Sequence, residues 1–165
     1  MKAIFTLVLI MCFNVFATAQ TNQTAHEYPE SIPTFQFAKI KGEGIFESKD
    51  IKKNKQTLIA LVSPECIHCL LSIEHLNNNF NYLKDVNVIL VTEYGRDEFK
   101  SKVGTIGTHF FESKNVEILQ DTEYEFMEKF KPLSIPTFYL YDKNNKLVTV
   151  KRGSVEINQI FQDLK

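Results

Sequence analysis

"LVSPECIHCLLSIEHL" spans residues 61–76. It runs from an apolar stretch through Ser63-Pro64 to two cysteines, Cys66 and Cys69, with Ile67 and His68 between them. Just upstream, "TLIALV" at 57–62 is continuously apolar, as a strand buried on both faces should be. Pro64 cannot continue a central strand. A helix is expected from about Cys66, with Cys69 or Leu70, Ile73, Leu76 and Phe80 at helical spacing on its core face.

Several chemistries need more than this pair offers. A structural zinc site draws on four ligands, usually two separated pairs. Here there is one pair; His68 sits awkwardly between the sulfurs, and His26, His75 and His109 are scattered, so no metal is expected. Attachment of a c-type haem needs histidine directly after the second cysteine, where this chain has Leu70. A thiol peroxidase usually has proline seven residues before its reactive cysteine, where Ile59 stands; Ser63 does fit the hydroxyl position three before.

Two readings then remain, a staple and a redox pair. A disulfide between positions i and i+3 closes so short a loop that it removes little unfolded-state freedom. The redox reading fits the local physics. The unpaired N–H groups at a helix N-terminus carry partial positive charge and favour a thiolate. Cys66 would attack a partner disulfide, and Cys69, one turn on, would resolve the mixed disulfide. His68, when protonated, would favour the thiolate, whereas the Glu65 carboxylate works against it.

Compartment bears on the choice. The start, "MKAIFTLVLIMCFNVFATA", has Lys2, an apolar middle and Ala17-Thr18-Ala19, the layout of a secretory leader cut after Ala19. The run from Ala3 to Phe16 is shorter than the ~20 residues of a spanning helix and contains Asn14. Residues 1–19 are therefore read as a leader, 20–32 as a loose polar arm and 33–165 as one domain. Cys12 would leave with the leader, so the exported chain would keep Cys66 and Cys69 alone, in an oxidising setting. The whole chain has 19 basic and 20 acidic residues, a balance that argues against nucleic acid as a partner.

The remaining elements follow from pattern. "TFQFAKI" at 34–40 alternates, and Gly42 and Gly44 turn it into a short return strand. "VNVILVT" at 86–92 is a second buried strand, and 95–112 is a helix followed by irregular chain broken by Gly104 and Gly107. "NVEILQD" at 115–121 is a strand, and "TEYEFMEKF" at 122–130 a helix capped by Thr122. "SIPTFYLYD" and "LVTVKRG" form a hairpin, and Ser154 caps a last helix. The order gives an α/β sandwich: a mixed central sheet, helices on both faces and an N-terminal β-hairpin.

"LIALVSPECIHC" with its helix, then "SIPTFYLYD" and "KLVTVKRG", resembles the thioredoxin superfamily. The opening "IPTFQFAKIKGEGIF" and the extra strand–helix segment resemble its exported TlpA-like branch. The resemblance covers about 33–165 and implies a thioredoxin-like fold. It implies that Cys66 is the nucleophile, Cys69 the resolving thiol, and Pro136 a cis-proline, with Ile135 presenting backbone to the bound partner. Gly153 matches the glycine that closes the hairpin.

The departures are specific. Glu65 stands where tryptophan commonly precedes the first cysteine, and Ala60 where many thioredoxins carry a buried acid. Histidine before the second cysteine resembles the oxidising DsbA-like motif, whereas the rest resembles the reductive branch. The expected function is that of an exported thiol–disulfide oxidoreductase of the periplasm or cell envelope, reducing or isomerising protein disulfides. The alternative is a peptide-binding module of the same fold with a locked disulfide. Expected partners are protein thiols and disulfides and a separate redox partner for recycling. No cofactor is expected, since nothing resembles a flavin or nicotinamide site. A monomer is expected, at a membrane only if the leader is retained.

Overall fold

A computed structural model describes residues 27–164. The expected leader, residues 1–19, and residues 20–26 of the arm lie outside the described residues. Among the described residues seven strands form one sheet: β1 (Gln36–Lys39), β2 (Ile45–Glu47), β3 (Thr57–Leu61), β4 (Asn87–Thr92), β5 (Val116–Gln120), β6 (Thr137–Tyr141) and β7 (Leu147–Arg152). Their spatial order is β2-β1-β5-β4-β3-β6-β7. β3, β4 and β5 are parallel, and the other neighbours pair antiparallel, so the sheet is mixed as expected.

The apolar runs of β3 and β4 reflect burial on both faces. Leu58, Ala60, Val88, Leu90, Phe138 and Leu140 face one core. Their alternates Ile59, Leu61, Ile89, Val91, Tyr139 and Tyr141 face the other. The first core is covered by α1 (Ile67–Asn78) through Cys69, Ile73 and Leu76, by Phe99 and Val103 of α2 (Arg96–Val103), and by Phe110 of α3 (Thr108–Glu112). Ile157 and Ile160 of the C-terminal segment complete it. The second core is aromatic. Phe126 and Phe130 of α4 (Glu125–Phe130) stack with ring centroids 4.1 Å apart and lie against Tyr139. The buried Tyr139 hydroxyl donates to the Phe130 carbonyl at 2.9 Å, so a polar atom inside this core is satisfied.

Four local expectations need correction. The stretch after Gly104 is the helix α3, held by burial of Phe110. Gly104 itself must be glycine-sized, since a Cβ there would lie 2.6 Å from the Lys100 carbonyl. α4 is capped by Asp121, not Thr122: the Asp121 carboxylate accepts from the N–H groups of Glu125 and Phe126 at 3.1 and 2.8 Å. Tyr124, at φ 58, delays the helix start to Glu125. Ser154 is no cap either. α5 (Gly153–Glu156) begins one residue earlier, and the Glu156 carboxylate takes the Arg152 N–H. The last residue group of the arm is tied down: Ser31 bridges Lys146, and the Leu147 N–H donates to the Glu30 carbonyl at 2.8 Å.

Candidate active site

β3 delivers the chain to the sheet's end, and the chain then turns. Ser63 caps that turn: its hydroxyl accepts from the Glu65 N–H, and its carbonyl from the Cys66 N–H at 3.2 Å. Cys66 is the N-cap of α1, in extended backbone, and its sulfur accepts from the Cys69 N–H at 3.3 Å. That N–H, which also reaches the Cys66 carbonyl at 2.9 Å, is aimed at the sulfur from the first turn of the helix. The Cys66 sulfur lies 3.7 Å from the Ile135 carbonyl.

Cys69 is in a different medium. It is fully buried in the first core, and burial pushes its thiol well above the ordinary range. The Ser63 N–H, 3.4 Å from the Cys69 sulfur, opposes that shift only in part. Ala60, in the strand beneath, offers no carboxylate. Both thiols are free.

The structure brings Cys66, Cys69, Ile135 and Pro136 together across a sequence separation of 69 residues between Cys66 and Ile135. The Ile135–Pro136 peptide bond is cis, and the Pro136 carbonyl accepts from the Gly153 N–H at 2.9 Å. Gly153 has φ 67, a conformation that favours glycine. That bond, with the Thr137–Arg152 pairing, sets α5 beside the helix bearing the cysteines.

Two residues that sequence reasoning missed act on the expected tuning pair. His68 is exposed and its Nδ1 lies 3.2 Å from the Ser154 hydroxyl, a partner 86 residues away. Glu65 pairs with Lys102 of α2 at 2.9 Å, both about half exposed. The carboxylate holds the Lys102 ammonium above its ordinary pKa, and the lysine in turn offsets the negative charge beside Cys66. A third feature is a cavity of about 220 Å³ beside the thiols. Leu61, Val62, Met127 and Tyr124 supply apolar wall, and Ser63 and Ile135 border it on the side of the cysteines. Ile135 and Met127 are exposed there, 42% and 45%.

Comparison with solved structures is unambiguous about architecture. The thioredoxin domain of a thiol–disulfide oxidoreductase from Bacteroides vulgatus superposes with a TM-score of 0.67 at 14% identity, covering 86% of this chain and 100% of that one. The fold is that of thioredoxin. StoA from Bacillus subtilis matches at TM-score 0.59 and 17% identity, over 81% of this chain and 98% of its own. A secreted disulfide oxidoreductase of Mycobacterium tuberculosis matches at 0.63 and 13%, over 79% and 93%. No family model and no curated protein matches the sequence. Among the described residues no helix is long and apolar enough to cross a membrane, and no group of three or more His, Cys, Asp or Glu could hold a metal ion.

Proposed function

We propose that this protein is an exported thiol–disulfide oxidoreductase that reduces or isomerises disulfides in proteins of the cell envelope. The observation that carries the reading is the unequal pair: a partly buried Cys66 sulfur at a helix N-terminus facing the Ile135 carbonyl, over a fully buried Cys69. The Cys66 thiolate attacks one sulfur of a substrate disulfide. A Cys66–substrate bond forms, and the other substrate sulfur leaves as a thiolate. Cys69 then loses its proton, attacks the Cys66 sulfur and releases the second substrate thiol. The substrate has gained two electrons and the protein holds a Cys66–Cys69 disulfide, which an external dithiol must reduce. In isomerisation the released substrate thiolate attacks elsewhere before Cys69 acts.

Two features support a protein substrate. The exposed Ile135, preceding the buried Pro136, offers backbone and apolar surface beside the nucleophile, and the adjoining cavity accepts an apolar side chain flanking the substrate cysteine. The leader-like start of the sequence and the secreted structural neighbour support export. Reduction or isomerisation is favoured over oxidation by the reductive-branch pattern of the rest of the chain.

The test is a trap. The Cys69→Ser protein, expressed with its leader, is expected to accumulate mixed disulfides through Cys66 in the envelope fraction, visible on non-reducing gels and released by reductant. If Cys69→Ser carries no such adducts while Cys66 is alkylatable, the catalytic reading fails and a peptide-binding module is left.

A further inference from the structure

The loops at the two ends of the strands carry opposite charge. At the thiol end, the connections 62–66, 93–95, 121–124 and 131–136 hold four carboxylates, Glu65, Glu93, Asp121 and Glu123, against one lysine, Lys131. At the far end, the connections 51–56, 84–87, 113–115 and 142–146 hold seven lysines against two aspartates. Strand register brings these four connections to one end: Thr57 pairs with Asn87 and with Tyr141, and Val88 with Val116. Side-chain contacts knit them. Asn87 Nδ2 donates to the Lys52 carbonyl at 2.8 Å, and Lys52 Nζ to the Lys114 carbonyl at 3.1 Å.

The two aspartates cancel part of this charge and leave an excess of five lysines. Asp85 pairs with Lys55 at 3.3 Å, and Asp142 is engaged by the N–H groups of Asn144 and Lys146 at 2.8 and 2.9 Å. Lys53, Lys84, Lys114, Lys143 and Lys146 are all exposed. Between the end of α1 and the 113–115 connection lies an open dish of about 400 Å³, walled in part by Lys84, Lys114, His109, Asn78 and Asn81. Tyr82, between Asn81 and Lys84 in the chain, is 63% exposed.

We propose that this basic end docks on an anionic phospholipid surface, with Lys84 and Lys114 at the dish taking a headgroup phosphodiester and Tyr82 seated at the interface. The lysines spread over four loops at one end of the molecule, which matches a sheet of charge better than a groove. An exposed tyrosine beside lysines is the pairing that membrane–water interfaces favour. The thiols lie at the opposite end, so the bound molecule holds them away from the bilayer. Each lysine near such a surface contributes about fivefold in binding, equivalent to ~1 kcal/mol, and the attraction decays within a Debye length. The inference does not rest on the redox reading, because the patch shares no residue with the thiol site.

The test uses the full chain, sedimented with vesicles of phosphatidylcholine alone or with about a quarter phosphatidylglycerol. The apolar run at residues 3–16 acts on both vesicle kinds alike and Lys2 is common to every variant, so the readout is the ratio of anionic to neutral partition compared between variants. The expected ratio is well above one at low salt and falls toward one near about 0.5 M salt. Combining Lys53→Gln, Lys84→Gln and Lys114→Gln lowers it by about a hundredfold, whereas the same three positions changed to Arg keep it. Matching melting curves guard against misfolding. A ratio of one for the unaltered protein, or a ratio the Gln changes leave intact, overturns the proposal. Retention on polyglutamate that the Gln changes abolish, without any vesicle preference, overturns it in favour of an acidic protein partner.

Discussion

Cys66 and Cys69 share one helical turn and almost nothing else. The rim around Cys66 is open and polar: a helix N-terminus, the Ile135 carbonyl, an ion pair between Glu65 and Lys102, and an exposed His68. The wall around Cys69 is core, packed with Ala60, Val62, Ile73 and Phe138 in one buried cluster. The same residue type therefore meets opposite surroundings from position alone. At the rim the sulfur meets a backbone donor and solvent; in the wall, desolvation favours the neutral thiol. Under the proposed function, this asymmetry divides the labour between attacking and resolving.

The comparison breaks most sharply if the two thiols prove interchangeable. Cys66→Ser should lower reduction of a disulfide substrate by at least ~10³-fold, because no other described thiol reaches the rim. The check is turnover of a peptide disulfide with a dithiol as donor. Equal first-step rates for Cys66→Ser and Cys69→Ser would erase the distinction.

A smaller effect sharpens it. Because the Cys69 pKa is raised, the fraction of resolving thiolate grows with pH throughout the neutral range, about tenfold per unit. Single-turnover resolution of a preformed Cys66 mixed disulfide should quicken from pH 6 to pH 8 by about a hundredfold. A flat profile would mean that a proton acceptor not among the neighbours described here serves Cys69.

Replacing Cys69 by serine also tests the wall as packing. Serine puts a hydroxyl into an apolar site, and a loss of roughly 1–3 kcal/mol of stability is expected from its desolvation. Denaturant unfolding of the reduced proteins measures it. An unchanged midpoint would show that this wall is wetter than its burial implies.

The smallest expected effects are at the rim. Lys102→Gln leaves Glu65 unpaired beside Cys66 and should slow thiolate attack by less than about threefold, since exposed pairs are weak and salt-screened. Adding Glu65→Gln should restore the rate. A tenfold loss that the second change does not restore would place Lys102 in another role.

Sequence pattern carried the sheet and the thiol pair because both rest on local signals. "TLIALV" and "VNVILVT" read as central strands because alternate residues enter two cores, leaving no polar face. Pro64 followed by Cys66 marked the strand end and helix start within a few residues. Most of the failures reflect competition for one cap or partner. Thr122 and Asp121 both cap helices well, and only the turn at Tyr124 lets Asp121 reach. Ser154 reads as a cap until the hairpin register sets it against His68. Lys102 sits on a helix face with no local feature pointing to Glu65. In α3 a single buried side chain, Phe110, left too little periodicity to read.

The most direct test of the central claim is the reduction potential of the Cys66–Cys69 pair, equilibrated against a thiol buffer and read by alkylation. A working dithiol that reduces or isomerises protein disulfides falls between about −270 and −180 mV, and that is the result predicted here. A value near −120 mV would make the protein an oxidant, and one below about −300 mV would make the bond a fixture and contradict catalysis altogether.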